Sequence, residues 1–262
     1  MRAKHKKIVE VATLAGRIML EGHAESYRVE DTVRRILQLS GLSITEVNTN
    51  TTGLYITLDD DSPEVEAYTV IRRITDRSNQ LNKIYRVNNI SRLLTSGQIT
   101  VDEAYDMLQV VDLSEYTVFS KDIATVILVV AFVVLLGGSF WDAVFSIVTG
   151  LLVAYSRILN DLFHLNDFIH GVASTLVTTF LTNLMAAFLP MEISTDIIII
   201  AGLMPLYPGT AVTNGLRDML KGDYISGVAR VAEALVTAIS LAIGVAIGLF
   251  LFKEVFFWLG LG

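Results

Sequence analysis

Thr210, Asn214, Arg217, Asp218 and Lys221 recur at spacings of three and four residues, so a helix here carries hydroxyl, amide, guanidinium and carboxylate groups on one face. Ser226, Arg230, Glu233, Thr237, Ser240 and Gly244 repeat the pattern in a second apolar stretch. Such stripes can recognise a small carboxylate or zwitterion, with an arginine receiving the carboxylate and Glu233 handling a proton or an ammonium group. Arg230 and Glu233 stand one helical turn apart and are also spaced to pair with each other as a structural ion pair. A third reading lets Arg230 snorkel to an interface.

Immediately upstream, Pro205 and Pro208-Gly209 interrupt a strongly apolar run. Proline removes a backbone donor and clashes with the preceding turn. Hydrocarbon supplies no water to the freed groups, so such a break persists only beside protein or a polar cavity. Discontinuous helices of this kind form substrate sites in many secondary transporters; a plain structural kink is the other reading. Pro205, Pro208, Gly209, Thr210, Asn214, Arg217, Asp218, Ser226, Arg230 and Glu233 are therefore the candidate substrate path. His170, Ser174, Thr178 and Asn183 share a face of a preceding apolar segment, where small polar residues often only join helices. Gly244 and Gly248 form a Gly-x-x-x-Gly pattern that permits close helix packing, within the chain or with a partner.

A second polar group lies near the N-terminus. His23, Glu25, Arg28 and Glu30, with Asn88, Asn89 and Arg92 further on, form a candidate functional cluster. His23 and Glu25 are two residues apart and no second histidine follows at zinc-protease spacing, so no metal site is expected. No nucleophile elbow is present, and the chain reads as no enzyme and as needing no cofactor. The structural alternative is a helix junction capped by Ser26 or a neighbour, with Arg28 paired to a carboxylate.

The elements that must position these groups divide in two. The chain of 262 residues is 52% hydrophobic and only 18% charged, where a soluble domain carries about 25%. Of its 20 lysines and arginines, 14 fall in residues 1–120 and six in the remainder. The division is a polar domain over 1–120 and a membrane domain over 121–262. A net charge of −7 offers no broad basic surface, so nucleic acid is not an expected partner. The absence of cysteine excludes disulfides and thiolate chemistry. The basic start runs into an amphipathic pattern and does not read as a signal peptide.

In the polar domain, Ile8, Val11, Ala12, Ala15, Ile18 and Met19 recur at helical spacing in a helix ending near Gly22. Val29, Val33, Ile36 and Leu37 line a second helix that stops at Gly41. Segments 43–48, 53–58 and 68–74 are β-branched and aromatic, with turn residues at 48–53 and at 59–63, which ends in Pro63. Leu81, Ile84, Val87, Ile90 and Leu94 begin a return to helix, and Thr100 with Glu103 is a capping box for the next one. An α+β domain results.

Five transmembrane helices are expected, at about 123–140, 143–163, 168–189, 197–216 and 225–252. Lysine and arginine are retained on the cytoplasmic side. Placing the N-terminal region inside puts Arg157, Arg217, Lys221 and Arg230 at cytoplasmic ends and leaves only acids in the loop at 190–196. The fold class is thus a polytopic α-helical membrane protein of the cell membrane with an N-terminal cytoplasmic α+β domain, its C-terminus outside.

The order of segments 16–30, 88–92, 96–104, 208–218 and 222–230 resembles the threonine/serine exporter family over nearly the whole chain. More closely it is similar to the half-length YjjP-type subunit. The resemblance implies secondary-active export of a small carboxylate-bearing metabolite, threonine or serine in one branch and succinate-like dicarboxylates in another. It also implies a separate YjjB-like small membrane subunit as partner, since this chain stops after the fifth span. Alternating access at the broken fourth helix would bring Arg217 or Arg230 to the substrate, with proton coupling at Glu233 or Asp218. A homo-oligomer is a further expectation. The competing class is a membrane-anchored regulatory or scaffold subunit whose cytoplasmic domain senses a metabolite or binds a partner.

Overall fold

The computed structural model describes residues 2–62, 65–75, 77–113, 116–163 and 165–258. Two compact units are present, Met1–Ser114 with Gly209–Glu233, and Glu115–Pro208 with Ala234–Gly262. This division cuts the chain differently from the expected boundary at residue 120, because 209–233 joins the N-terminal unit.

The first unit begins with α1 (Arg2–Glu21) and α2 (Ser26–Leu37). All six apolar positions expected on α1, from Ile8 to Met19, are fully buried, as are Val29, Val33, Ile36 and Leu37 of α2. Gly16 allows the close approach, since a Cβ there would sit 2.7 Å from Leu54 and 2.8 Å from Val33. Strands β1 (Ile44–Asn50), β2 (Gly53–Asp59) and β3 (Tyr68–Arg73) form an antiparallel sheet in sequence order. The expected turn at 48–53 shrinks to Thr51 and Thr52, because the Asn50 side chain accepts from the Thr52 amide at 2.9 Å and lets β1 run on to Asn50. Pro63 of the next expected turn lies outside the described residues.

Helices α3 (Leu81–Thr95) and α4 (Val101–Asp112) close the core. Ile84, Val87, Ile90 and Leu94 are buried as their spacing requires, whereas Leu81, the first residue of α3, is exposed. The Thr100–Glu103 capping box is formed in both directions. Helix α9 (Gly209–Leu220) and the first turns of α10 (Tyr224–Trp258) complete this unit. Gly222, at φ +96°, turns between them.

The second unit holds α5 (Val118–Leu135), α6 (Phe140–Phe163), α7 (Asp167–Ala187), α8 (Thr195–Leu203) and the rest of α10. Among the described residues, four helices are long and apolar enough to cross a membrane: α5, α6, α7 and α10. The expected fourth span at 197–216 is not one helix. It is the nine-residue α8 and, beyond the turn at Pro205 and Pro208, α9 in the other unit. The prolines account for the break.

Within this unit, Asp142 and Ser139 bond reciprocally at the start of α6, and the other Asp142 oxygen accepts from the Ser194 amide at 2.8 Å, tying the start of α8 to α6. Arg157 pairs with Asp122 at 3.0 Å. Gly171, Gly244 and Gly248 bring α7 and α10 together, with Gly244 against Thr175 and the Val172 carbonyl. The Gly-x-x-x-Gly pattern therefore packs inside the chain.

Candidate functional site

Helix α1 ends in a Schellman turn. The Ala24 amide donates to the Met19 carbonyl at 2.9 Å and the His23 amide to Leu20 at 3.1 Å. The left-handed position of this turn, usually glycine, is His23 at φ +66°. Its geometry leaves the carbonyls of His23 and Ala24 as acceptors for the α9–α10 hairpin. Asn214 donates to the His23 carbonyl at 2.9 Å, and Arg230 to the Ala24 carbonyl at 2.7 Å.

The first amides of a helix have no partner within it and favour negative charge nearby. On α2 that charge comes from α9. Asp218 accepts from the Ser26 amide at 3.1 Å and from its hydroxyl at 3.4 Å. Arg230 completes the arrangement, its Nε lying 3.1 Å from the second Asp218 oxygen. Gly215 and Gly227 make this crossing possible, for a Cβ on Gly215 would lie 3.0 Å from the Gly227 carbonyl oxygen. Beside this pair, Glu25 is buried and holds two arginines, Arg28 at 2.9 Å and Arg217. Glu233 pairs with Arg77 at 3.1 Å, while Arg230, the partner its spacing suggested, pairs with Asp218. Thr210 donates to Asn79 at 2.7 Å, and Ser226 is buried.

Burial and charge act differently on the titrating groups. Burial pushes the Asp218 carboxyl above its ordinary range despite Arg230 and the Ser26 hydrogen bonds, and Asp223 adds to the rise. Burial acts on Glu25 in the same sense but is outweighed by a backbone hydrogen bond and by Arg28 and Arg217, which hold it low. His23 is lowered, first by burial and then by the charges of Arg77 and Arg230. Among the described residues, neither His23 ring nitrogen closes a hydrogen bond of normal geometry, although Asn79 lies beside the ring.

The structure thus joins two groups that the sequence kept apart. His23, Glu25 and Arg28 share one charge cluster with Asn214, Arg217, Asp218 and Arg230. Glu30 stands outside it, bonding the Thr49 amide at 2.8 Å and so tying α2 to β1. Asn88 accepts from Thr32, Arg92 lies at the rim of a separate hollow, and Asn89 lines another beside Met107. Among the described residues no group of histidine and acidic side chains is arranged to hold a metal ion.

The second unit contains a polar feature that the sequence reading caught only in part. Ser174, Thr175, Thr178, Thr179, Thr182 and Asn183 form one buried face of α7. Thr175 donates to the Leu241 carbonyl at 3.2 Å, and Thr182 bonds Thr149 of α6 at 3.1 Å. Among the described residues, the hydroxyls of Ser174, Thr178 and Thr179 have no hydrogen-bond partner. Thr178 and Thr179 line a narrow hollow with Gly202, Leu203 and Leu206, next to the break after α8, and it leaves no room for a water molecule. Recurrence of hydroxyl residues at helical spacing was the available signal for Thr175, Thr179 and Thr182.

A family model described as "Putative threonine/serine exporter" matches residues 10–252. A "Probable threonine/serine exporter" of Mycobacterium tuberculosis is 23% identical over 255 residues, covering 93% of this chain and 46% of the relative. The chain therefore spans about half the length of that curated relative. No solved structure matches it. With the family pattern running from the first helix into the last, the chain belongs to the threonine/serine exporter family.

Proposed function

We propose that the chain is a membrane subunit of a secondary exporter for small hydroxylated amino acids, threonine or serine, and that the substrate passes the hydroxyl face of α7 beside the break after α8. The observation that carries this reading is the set of buried hydroxyls of Ser174, Thr178 and Thr179, which have no hydrogen-bond partner among the described residues. An unpaired buried hydroxyl costs free energy, and a substrate with hydroxyl, ammonium and carboxylate groups offsets that cost. Because the hollow admits no water, passage requires the end of α8 to move, which is alternating access with the Pro205–Pro208 turn as the moving part. Proton coupling falls to Asp218, whose protonation would loosen its pair with Arg230.

Connectivity supports an orientation. Three long apolar helices, α5, α6 and α7, stand between residues 1–114 and α9, and we read α8 with the turn after it as a short return across the bilayer. On this reading the chain has five crossings, the fourth of them short, with the first unit in the cytoplasm by its basic residues and the C-terminus outside. Irregular backbone at that depth is tolerated where protein covers it, and Ile198, Ile199, Ala201 and Gly202 of α8 are buried. The long exposed apolar helix faces suit lipid and a second membrane subunit, YjjB-like or another copy of this chain.

The test is counterflow of labelled threonine, serine and succinate in vesicles holding the chain with and without a YjjB-like subunit. Threonine or serine flux is expected, falling about tenfold in Thr178→Val and Thr179→Val at equal protein abundance. Succinate flux alone would replace the amino-acid assignment by a dicarboxylate one. Absence of flux in every condition would overturn the exporter reading in favour of a regulatory or scaffold subunit. That second reading is favoured by one observation, that Arg217, Asp218 and Arg230 are all engaged by groups of the N-terminal unit.

A further inference from the structure

Helices α2 and α3 enclose a polar hollow of about 140 Å³, lined by Arg28, Asp31, Thr32 and Arg35 from one side and Asn88, Ser91 and Arg92 from the other. Thr32 and Ser91 are buried and form its floor, while Asp31, Arg35 and Arg92 are exposed at its rim. The side chains are fixed in ways that leave donors for a guest. Arg35 is held by Asp31 through two contacts, at 2.7 and 3.1 Å, and Arg28 spends Nη1 on Glu25. The Thr32 hydroxyl donates to the Asn88 carbonyl oxygen at 3.1 Å, which leaves the Asn88 NH₂ group to donate. Arg92 has no ion pair or side-chain hydrogen bond among the described residues.

Charge and size restrict what could sit there. Asp31 balances Arg35, Arg28 shares Glu25 with Arg217, and Arg92 has no ion pair among the described residues, so the hollow keeps a net positive charge. The free donors outnumber the acceptors, and a guanidinium fork matches planar or tetrahedral oxyanions. The volume holds several water-sized groups, enough for a compact anion and too little for a nucleotide. We propose that this hollow between α2 and α3 is a binding site for a small carboxylate or phosphate anion, separate from the substrate path and suited to sensing. The anion is either a soluble metabolite or a lipid headgroup presented to the same donors.

The experiment titrates inorganic phosphate, and separately succinate, into the full chain in phosphatidylcholine nanodiscs at constant ionic strength, read by calorimetry. Saturable one-to-one binding of at least one anion is expected, weakened about tenfold in Arg92→Gln by loss of a charge-assisted hydrogen bond. Asn88→Asp, which places a carboxylate at the floor, weakens it further. Because Arg92 is exposed and unpaired, its variant should unfold at the wild-type temperature without ligand. No saturation by either anion, or wild-type affinity in Arg92→Gln, would overturn the proposal. Repeating the phosphate titration with phosphatidic acid in the disc separates the sources: a weaker apparent affinity supports a headgroup at this site, and an unchanged one supports a soluble anion. Thr178→Val should bind as wild type, which separates failure here from failure of the transport reading.

Discussion

Arg230 of α10 and Asp218 of α9 lie 3.1 Å apart with side chains 4% and 0% exposed, and the same aspartate receives the first amide of α2. One carboxylate therefore joins three helices. Breaking a buried pair leaves a charge without a partner, which costs about 3–5 kcal/mol. Asp218→Asn and Arg230→Gln should each destabilise the protein by this order, and Asp218→Leu with Arg230→Met should recover much of it. Unfolding of the purified chain in nanodiscs checks this, and additive single and double changes would contradict it.

Glu25 is buried and serves two partly exposed arginines. Replacing it by Gln frees cations that water can hydrate, at a cost of about 1–2 kcal/mol. Replacing both Arg28 and Arg217 by Gln leaves the buried carboxylate alone and should cost clearly more than Glu25→Gln. Equal losses would mean that Glu25 is solvated, contrary to the geometry.

Acidification should weaken the first unit in two stages. His23 is lowered from 6.5, so below pH 6.5 the unfolded chain takes up a proton that the folded one refuses, and stability falls. Glu25 is lowered from 4.5, so its contribution is present above that pH and is lost as pH falls through its folded value. Asp218, raised from 3.8, acts in the opposite sense and blunts the second stage. His23→Asn keeps a residue that tolerates the left-handed turn and should flatten the slope just below pH 6.5. A melting temperature that falls as steeply in this variant would assign the titration elsewhere.

Gly244 abuts Thr175 and the Val172 carbonyl where α10 crosses α7. Gly244→Ala adds a methyl group against backbone and should destabilise by about 1–3 kcal/mol, whereas Ile247→Leu on the partly exposed side should not. Thermal unfolding of the two variants distinguishes a packed crossing from a loose one.

The lack of cysteine makes topology directly measurable by single introduced thiols. Cysteines at Lys83 and Gly222 should react only from the cytoplasmic side, and those at Met191 and Lys253 only from outside. Labelling of Gly222 and Met191 from the same side would remove the return through α8.

The regular elements of the first unit were legible because each shows its own periodicity. The α1 and α2 stripes, the turn glycine Gly41 and the Thr100 capping box all rest on interactions within a few residues. Leu81 failed since the first residue of a helix need not face the core that later turns face. The hydroxyl face of α7 was visible as a spacing, but the isolation of three of its hydroxyls was not.

By itself, the sequence determined the amphipathic helices of the first unit, the break at Pro205 and Pro208, four of the five segments expected to cross a bilayer, and the family. Only the tertiary structure decided who pairs with whom. Local spacing favours Arg230 with Glu233, one turn apart, yet Arg230 finds Asp218 across a hairpin and the Ala24 carbonyl 206 positions away. The reason is that a buried charge is placed by the most complete set of opposite charges and acceptors the fold can offer, and that set is assembled from segments no local pattern connects.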